Sequence, residues 1–313
     1  MKELIQLTSF PVKTTLNILL KDKTTKKNII WATKSYESFG SQYSDDKQIT
    51  VETITGLNSI MIQPRIRKAM EQQQERTKNR AEVFTPSWIC NQMNNYCDEE
   101  WFSRKDVFNI EKEKSWESTT EKIMFPEKKT WKQYVYSRRL EITCGEAPYI
   151  VSRYDAATGE LIEVEHRIGI LDRKLRVINE NTDNEADWID WVIKAYQSVY
   201  GYEFQGDNLL IGRINLLMTF VDYLNYKWNR EPTVSELKKL ANIISWNLWQ
   251  MDGLTGTVPL GVPEEDIYQY SLFDFINGIE DKKEKKTDIS PKCRIYDWRA
   301  PHSILFESLK KEN

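Results

Sequence analysis

Residues 139–149 read Arg-Leu-Glu-Ile-Thr-Cys-Gly-Glu-Ala-Pro-Tyr. Leu140 to Thr143 make a short strand, and Cys144 to Pro148 a glycine-containing turn directly after it. A tight turn at the carboxyl end of a strand is where an open α/β sheet brings backbone amides up to a ligand. Downstream the texture alternates. Leu171 to Val177 reads as a helix, and Ala186 to Tyr200 as an amphipathic one, with Trp188, Trp191, Val192, Ala195 and Val199 at helical spacing. Tyr202 to Phe204 is short and strand-like, and Asp207 to Tyr226 is a long helix. Thr233 and Glu236 form a capping box ahead of Leu237 to Leu240, and Ile243 to Gln250 is apolar and reads as a strand. This strand–helix–strand–helix–strand order predicts an α/β fold, a parallel sheet with crossover helices. After Pro259 the order weakens. Lys282 to Lys286 is a solvated charge run, and Ile295–Trp298 with Ile304–Phe306 predicts a terminal hairpin.

Upstream, residues 1–60 mix apolar stretches with polar turns and read as an N-terminal α+β segment; residues 61–313 read as the main domain. Arg67 to Arg80 is a polar, helix-like run without a wide apolar face. Its basic side chains, Arg76, Lys78 and Arg80 among them, suit a solvated helix first and a phosphate-contacting one second. Pro86 opens a helix at its first position, with Thr85 as N-cap. That helix, Ser87 to Tyr96, sets Trp88, Ile89, Met93 and Tyr96 near one face. Residues 101–132 form a charge-rich insertion with interleaved aromatics.

The chain's 313 residues are 40% hydrophobic and 29% charged, with a formal net charge of −3. These values suit a chain able to bury its own core and argue against wholesale disorder. A mean hydropathy of −0.61 and the lack of a span-length apolar run exclude a transmembrane helix. Met1 to Phe10 lack the basic-then-apolar pattern of a secretory signal. Four scattered cysteines without a Cys-x-x-Cys pair read as reduced thiols in the cytoplasm, suggesting neither zinc nor a disulfide framework. His166 and His302 are far apart, which disfavours histidine-based metal or general-base chemistry. The absence of Gly-x-x-x-x-Gly-Lys-Ser/Thr disfavours a phosphate-loop NTPase. A magnesium nuclease built on Asp172 with Lys174, or on Glu160 with Glu163, rests on spacings common in a chain with 47 acids.

Three strand ends carry the chemistry. The first holds Gly145 in its turn, the second is Tyr202-Glu203-Phe204, and the third is Trp249-Gln250-Met251-Asp252-Gly253. A glycine turn, an acid for a diol and an acid for a base edge are the parts needed to hold an adenosine. Glu203 would accept from both ribose hydroxyls, and Asp252 from the adenine amino group. Each acid alone has a plainer reading as an N-cap or surface residue. Tyr202 and Trp249 could flank the adenine or simply fill the core. Cys144 reads as a buried thiol near the cofactor, since no base lies nearby in sequence.

Glu82-Val83-Phe84-Thr85-Pro86, followed by a helix, resembles the cofactor-binding motif of N6-adenine DNA methyltransferases from restriction–modification systems. The resemblance implies that Phe84, Thr85 and Pro86 line an S-adenosylmethionine site, with the helix N-terminus aimed at the methionine carboxylate. The helix dipole favours that placement independently. Residues 139–155 are similar to the family's turn, Asp-Pro-x-x-Gly-x-Gly-x-Phe. Glu141 takes the acid position, Gly145 is kept beside Cys144, and Ala147 and Pro148 stand where glycine and its neighbour would be, which stiffens the turn. Glu203 with Phe204 matches the ribose-binding acid, and Asp252 with Gly253 the adenine-binding one. The likeness implies a Rossmann-like S-adenosylmethionine-dependent methyltransferase sheet, incomplete at its C-terminal part, with an N-terminal α+β extension. It also implies DNA as a partner, contacted by Arg76, Lys78 and Arg80.

The family's catalytic motif, Asn/Asp-Pro-Pro-Tyr/Phe, is missing, for no Pro-Pro dipeptide occurs in the chain. In the family its polar side chain and carbonyl hold the target amino group, and its ring stacks on the flipped base. The expectation is the S-adenosylmethionine-binding part or subunit of an adenine-specific DNA methyltransferase. It would be inactive alone and completed by a protein partner carrying the catalytic half, or by a restriction subunit. The alternative is a non-catalytic methyltransferase-fold protein acting by DNA or protein binding, in phage defence or anti-restriction.

Overall fold

The computed structural model describes residues 4–57, 59–68, 85–261 and 290–311. The N-terminal part carries helices α1 (Val12–Leu19) and α2 (Val51–Thr55), the second held by a capping box between Thr50 and Thr53. Helix α3 (Ser87–Phe102) is followed by an antiparallel hairpin, β1 (Asn109–Glu111) with β2 (Trp116–Ser118), and by short helix α4 (Trp131–Tyr136). The charge-rich 101–132 stretch is anchored from beneath. Rings of Trp101, Phe102, Phe108, Phe125 and Tyr134 pack with centroids 4.7–6.4 Å apart.

Strands β3 (Arg139–Glu141), β4 (Val199–Glu203) and β5 (Leu248–Gln250) form a parallel sheet in chain order. Helices α5 (Ile170–Asn181) and α6 (Glu185–Tyr196) connect the first pair; α7 (Gly206–Trp228) and α8 (Val234–Asn247) connect the second. The molecule is mixed α/β with a small parallel sheet among helices, and the alternation read from the sequence is present with several boundaries moved. β3 stops at Glu141, so Ile142 and Thr143 belong to the turn and not to the strand. Ile243 to Asn247 continue α8 instead of opening a strand, because Leu237, Leu240, Ala241 and Ile244 extend one buried helical stripe from the Thr233–Glu236 capping box. Val199 and Tyr200 leave the preceding helix because they pair with Arg139 and Leu140. The terminal hairpin is β6 (Arg294–Asp297) against β7 (His302–Leu305).

Helix α3 departs further from expectation. Its N-cap is Pro86, in extended conformation, not Thr85, and it makes no side-chain cap bond. Its buried face is Ser87, Cys90, Asn91, Asn94, Asp98 and Phe102, while Met93 and Tyr96 are exposed. The cause is Arg173 on α5, 2% exposed. It donates to Asp98 Oδ2 (2.5 Å), Asn95 Oδ1 (2.7 Å), Asn91 Oδ1 (2.9 Å) and the Ile168 carbonyl (3.0 Å). A buried guanidinium needs acceptors at every donor, so the polar stripe turns inward, Met93 and Tyr96 turn outward, and Trp88 and Ile89 stay half-buried.

One buried cluster runs from Leu4 through the N-terminal segment to the sheet and its helices. Gln250 stitches this segment to the carboxyl end of the sheet. Its amide donates to the carbonyls of Ile30 (2.9 Å) and Phe204 (2.8 Å) and accepts from the Ile30 N–H (2.9 Å). Gly206 completes the seam, since a Cβ there would lie 2.0 Å from the Ile30 carbonyl oxygen. Buried Arg213 of α7 donates to the carbonyls of Leu19, Lys21, Ser245 and Leu248, and burial lowers its pKa to about 10.

Asp172, also on α5 and fully buried, accepts from the Ser152 N–H (2.8 Å) and hydroxyl (3.2 Å) through Oδ2. Burial pushes its pKa from 3.8 up to about 6, against the opposing pull of Arg167 and the Ser152 bonds. The folded chain therefore holds this proton more tightly than the unfolded chain. Its stabilising contribution is complete below about pH 4 and is lost as pH rises through about 6. Asp172→Asn cannot ionise, so the stability gap between variant and wild type should shift by about 3 kcal/mol in the variant's favour between pH 4 and pH 7. Urea unfolding at both pH values measures this; a gap independent of pH would refute it.

Candidate functional site

At the carboxyl ends of β3, β4 and β5 the three turns meet. After Glu141 the chain passes through Thr143, Gly145 and Ala147 with φ of +47°, +54° and +64°. Glycine adopts this left-handed conformation freely; a side-chain-bearing residue does so at about 1–2 kcal/mol. Ala147 thus takes the conformation a glycine would adopt more easily. The turn is pinned in place: the Cys144 N–H donates to the Tyr202 carbonyl (2.8 Å) and the Ala147 N–H to the Cys144 carbonyl (2.7 Å). Gly201 on β4 leaves room for it, since a Cβ there would lie 3.1 Å from Cys144 Sγ.

Glu203 ends β4 and is buried. Its Oε2 accepts from the Gly145 N–H (2.9 Å) and its Oε1 from the Gln205 N–H (3.1 Å). The acid after the second strand is therefore tied to the glycine turn after the first. The third strand end adjoins both, because the Met251 N–H donates to the Glu203 carbonyl (3.0 Å). Gly253 sits against the Tyr202 ring, where a Cβ would be 3.0 Å from Cε2. Asp252 is half-buried, and its Oδ1 accepts from the Leu254 N–H (2.9 Å) within a turn closed by the Asp252 N–H donating to the Thr257 carbonyl (2.8 Å). Of the two rings that sequence leaves open, Trp249 is buried core, bonded to Met251 Sδ (3.3 Å), while Tyr202 reaches the rim.

Glu141 has no such satisfaction. Its Oε1 lies 3.5 Å from the Tyr149 N–H, and its buried Oε2 has no partner among the described residues. Burial holds its carboxyl well above the usual range; the Tyr149 and Ile150 amides oppose this, and the Glu203 charge adds to it. Burial likewise pushes the Cys144 thiol up, reinforced by Glu141 and Glu203, so it stays protonated and poorly nucleophilic.

Thr85 adjoins the same cluster, near enough to Tyr149 to oppose the upward push that burial gives the phenol. Pro86 stands beside it, but the helix end it leads into is occupied. The Ser87 N–H donates to Asp155 Oδ2 (2.8 Å), and Asp155 Oδ1 accepts from the N–H groups of Ala157 (2.8 Å) and Thr158 (2.7 Å). Burial opposes ionisation of Asp155, yet these bonds hold its carboxyl below the usual range. The amide expected to face a methionine carboxylate is thus taken by the chain's own carboxylate. Nothing in the motif at 82–86 signals Asp155, which lies about 70 residues downstream. Phe84, Arg76, Lys78, Arg80 and the Lys282–Lys286 run lie outside the described residues.

Asp172 and Lys174, two apart on α5, point into separate networks; Lys174 Nζ donates to the Ser137 carbonyl (2.5 Å) and Ser198 Oγ (2.6 Å). Among the described residues no group of three or more His, Cys, Asp or Glu could hold a metal, and no helix is long and apolar enough to cross a membrane. No family model, curated protein or solved structure matches the chain.

Proposed function

We propose that this chain is the S-adenosylmethionine-binding part of an adenine-specific DNA methyltransferase of the restriction–modification type. It is built on a Rossmann-like sheet and works in the cytoplasm with a protein partner that supplies the transfer motif. The observation that carries the reading is the hydrogen bond from the Gly145 amide to Glu203. It joins, at the carboxyl end of a parallel sheet, the glycine turn and the strand-end acid that an adenosine requires, with Asp252 one strand further on.

The residues fit the group in three respects. Glu203 stands at the strand end beside the glycine turn, and a carboxylate is the acceptor that a ribose diol calls for. Among the described residues a Cβ built on Gly145 meets nothing within 4 Å, so none of them crowds the turn. Glu141 Oε2, without a partner among the described residues, suits an α-ammonium, whose charge would favour the ionised carboxylate. When bound, S-adenosylmethionine supplies an electrophilic methyl on its sulfonium. The chain's own residues bind and orient: Glu203 the ribose, Asp252 the adenine edge, Glu141 the amino-acid end. Arg76, Lys78 and Arg80 serve the DNA.

Calorimetry with S-adenosylhomocysteine and its inosine analogue tests the assignment of Asp252. Wild type should prefer the adenosine ligand by about tenfold, and Asp252→Ala should lose most of that preference. Equal preference in both proteins would reduce Asp252 to a residue that closes its own turn.

A further inference from the structure

The opposite end of the sheet holds a second constellation. Arg138 and Ser198 immediately precede β3 and β4, Lys194 lies in the last turn of α6, Tyr136 ends α4, and Trp298 and Arg299 follow β6. Together they line a cavity of about 460 Å³, a size that suits a small-molecule site.

Its charge is unbalanced. Arg138 is paired with Asp297 at 2.8 Å. Arg299 Nη2 donates to the Tyr136 carbonyl (3.0 Å), and Lys194 Nζ stands 4.1 Å from the centre of the Trp191 ring. Among the described residues neither Arg299 nor Lys194 has a carboxylate partner, so three cations face one anion. Beneath the floor, Lys174, bonded to Ser198 Oγ, has its pKa held well below the usual range by burial first, and then by the charges of Arg139 and Arg299 against the opposing pull of Asp98.

The cavity adjoins an apolar one of about 140 Å³, with Arg138 and Tyr200 lining both. Leu140, Trp249, Ile295 and Phe306 wall the smaller space. A ligand spanning the two would place an anionic group among the cations and a planar, weakly polar ring against the aromatic wall.

We propose that this end of the molecule binds a nucleoside phosphate, with the phosphate held by Lys194 and Arg299 and the base in the apolar recess. Two uncompensated cations match a phosphate dianion better than a single carboxylate. Tyr200, Tyr296 and Phe306 border that recess and add the ring contacts that favour a base over an aliphatic chain. The site is separate from the carboxyl-end cluster and does not depend on its reading. The same chemistry comes from a free mononucleotide or from the phosphorylated end of a nucleic-acid strand.

The experiment titrates the full chain with uridine 5′-monophosphate, uridine, inorganic phosphate and a 5′-phosphorylated oligothymidylate, none of which carries the adenine that Asp252 would read. Uridine 5′-monophosphate should bind about tenfold more tightly than uridine or phosphate. The double variant Lys194→Glu/Arg299→Glu should weaken it by about tenfold or more while circular dichroism stays unchanged. Lys194→Gln should give a smaller loss in the same direction, and Glu203→Ala should leave binding unaltered. Oligothymidylate binding tighter than the mononucleotide, and lost in the double variant, identifies a strand end as the source; the reverse order identifies the free nucleotide. Absence of binding by both nucleotide probes, affinity unchanged in the folded variants, or phosphate binding as tightly as the nucleotide would overturn the proposal.

Discussion

Arg173→Met is expected to destabilise the protein by about 3–5 kcal/mol. The loss is not that of a contact alone. Arg173 and Asp98 are both buried, and removing the guanidinium leaves a carboxylate with only the Tyr134 hydroxyl (2.9 Å) as its side-chain donor among the described residues. It also strands the amide oxygen of Asn95, while that of Asn91 keeps the Asn109 amide (2.8 Å). Adding Asp98→Asn to Arg173→Met should recover part of the stability, because the uncompensated charge is then gone. Denaturant unfolding followed by circular dichroism reads both. A loss below about 1 kcal/mol for Arg173→Met would mean that α3 is held to α5 by packing and not by this network.

On the proposed two-component reading, methyl transfer by the chain alone should be suppressed by about three orders of magnitude or more relative to the chain with its partner. Transfer to an adenine amino group requires acceptors that orient the nitrogen lone pair and a ring that holds the flipped base. Without a Pro-Pro motif the chain has no recognisable source of either, and several kcal/mol of barrier lowering go with them. Purified protein incubated with labelled S-adenosylmethionine and mixed-sequence duplex DNA should leave adenine unlabelled. The same mixture with the proper partner should label it. Robust labelling by this chain alone would place the acceptors within it and end the two-component reading.

The order of the fold is legible in the sequence because glycine turns, capping boxes and apolar stripes are local signals. Thr233 and Glu236 set the start of α8, and Gly145 marks the turn after β3. The end of α8 is not legible, since Ile243 to Asn247 are as apolar as a buried strand and only their packing decides between the two. The buried face of α3 escapes for a different reason. Hydrophobic periodicity assumes that the apolar stripe turns inward, and it cannot register a buried arginine 75 positions beyond Asp98. The regular spacing of Asn91, Asn94, Asn95 and Asp98 is the available sign, because polar residues at helical period call for a buried partner as much as for solvent.

Within the carboxyl-end cluster, Gly145, Glu203 and Asp252 are legible from their places at strand ends, and the sheet brings them together. Asp155 is not, because its position on the α3 N-terminus depends on how the 152–158 loop folds back. Nor is the isolation of Glu141 Oε2 among the described residues, which follows from burial and not from any spacing.

Titration calorimetry of wild type and Glu203→Ala with S-adenosylhomocysteine reads whether this cluster binds an adenosyl ligand. The Glu203 carboxylate should contribute about 1.5–3 kcal/mol through charge-assisted bonds to the ribose hydroxyls. Wild type should therefore give a single-site isotherm, and Glu203→Ala should weaken it by about tenfold to a hundredfold with the fold retained. No binding by wild type, or equal affinity in the two folded proteins, would show that the cluster is not an adenosyl site.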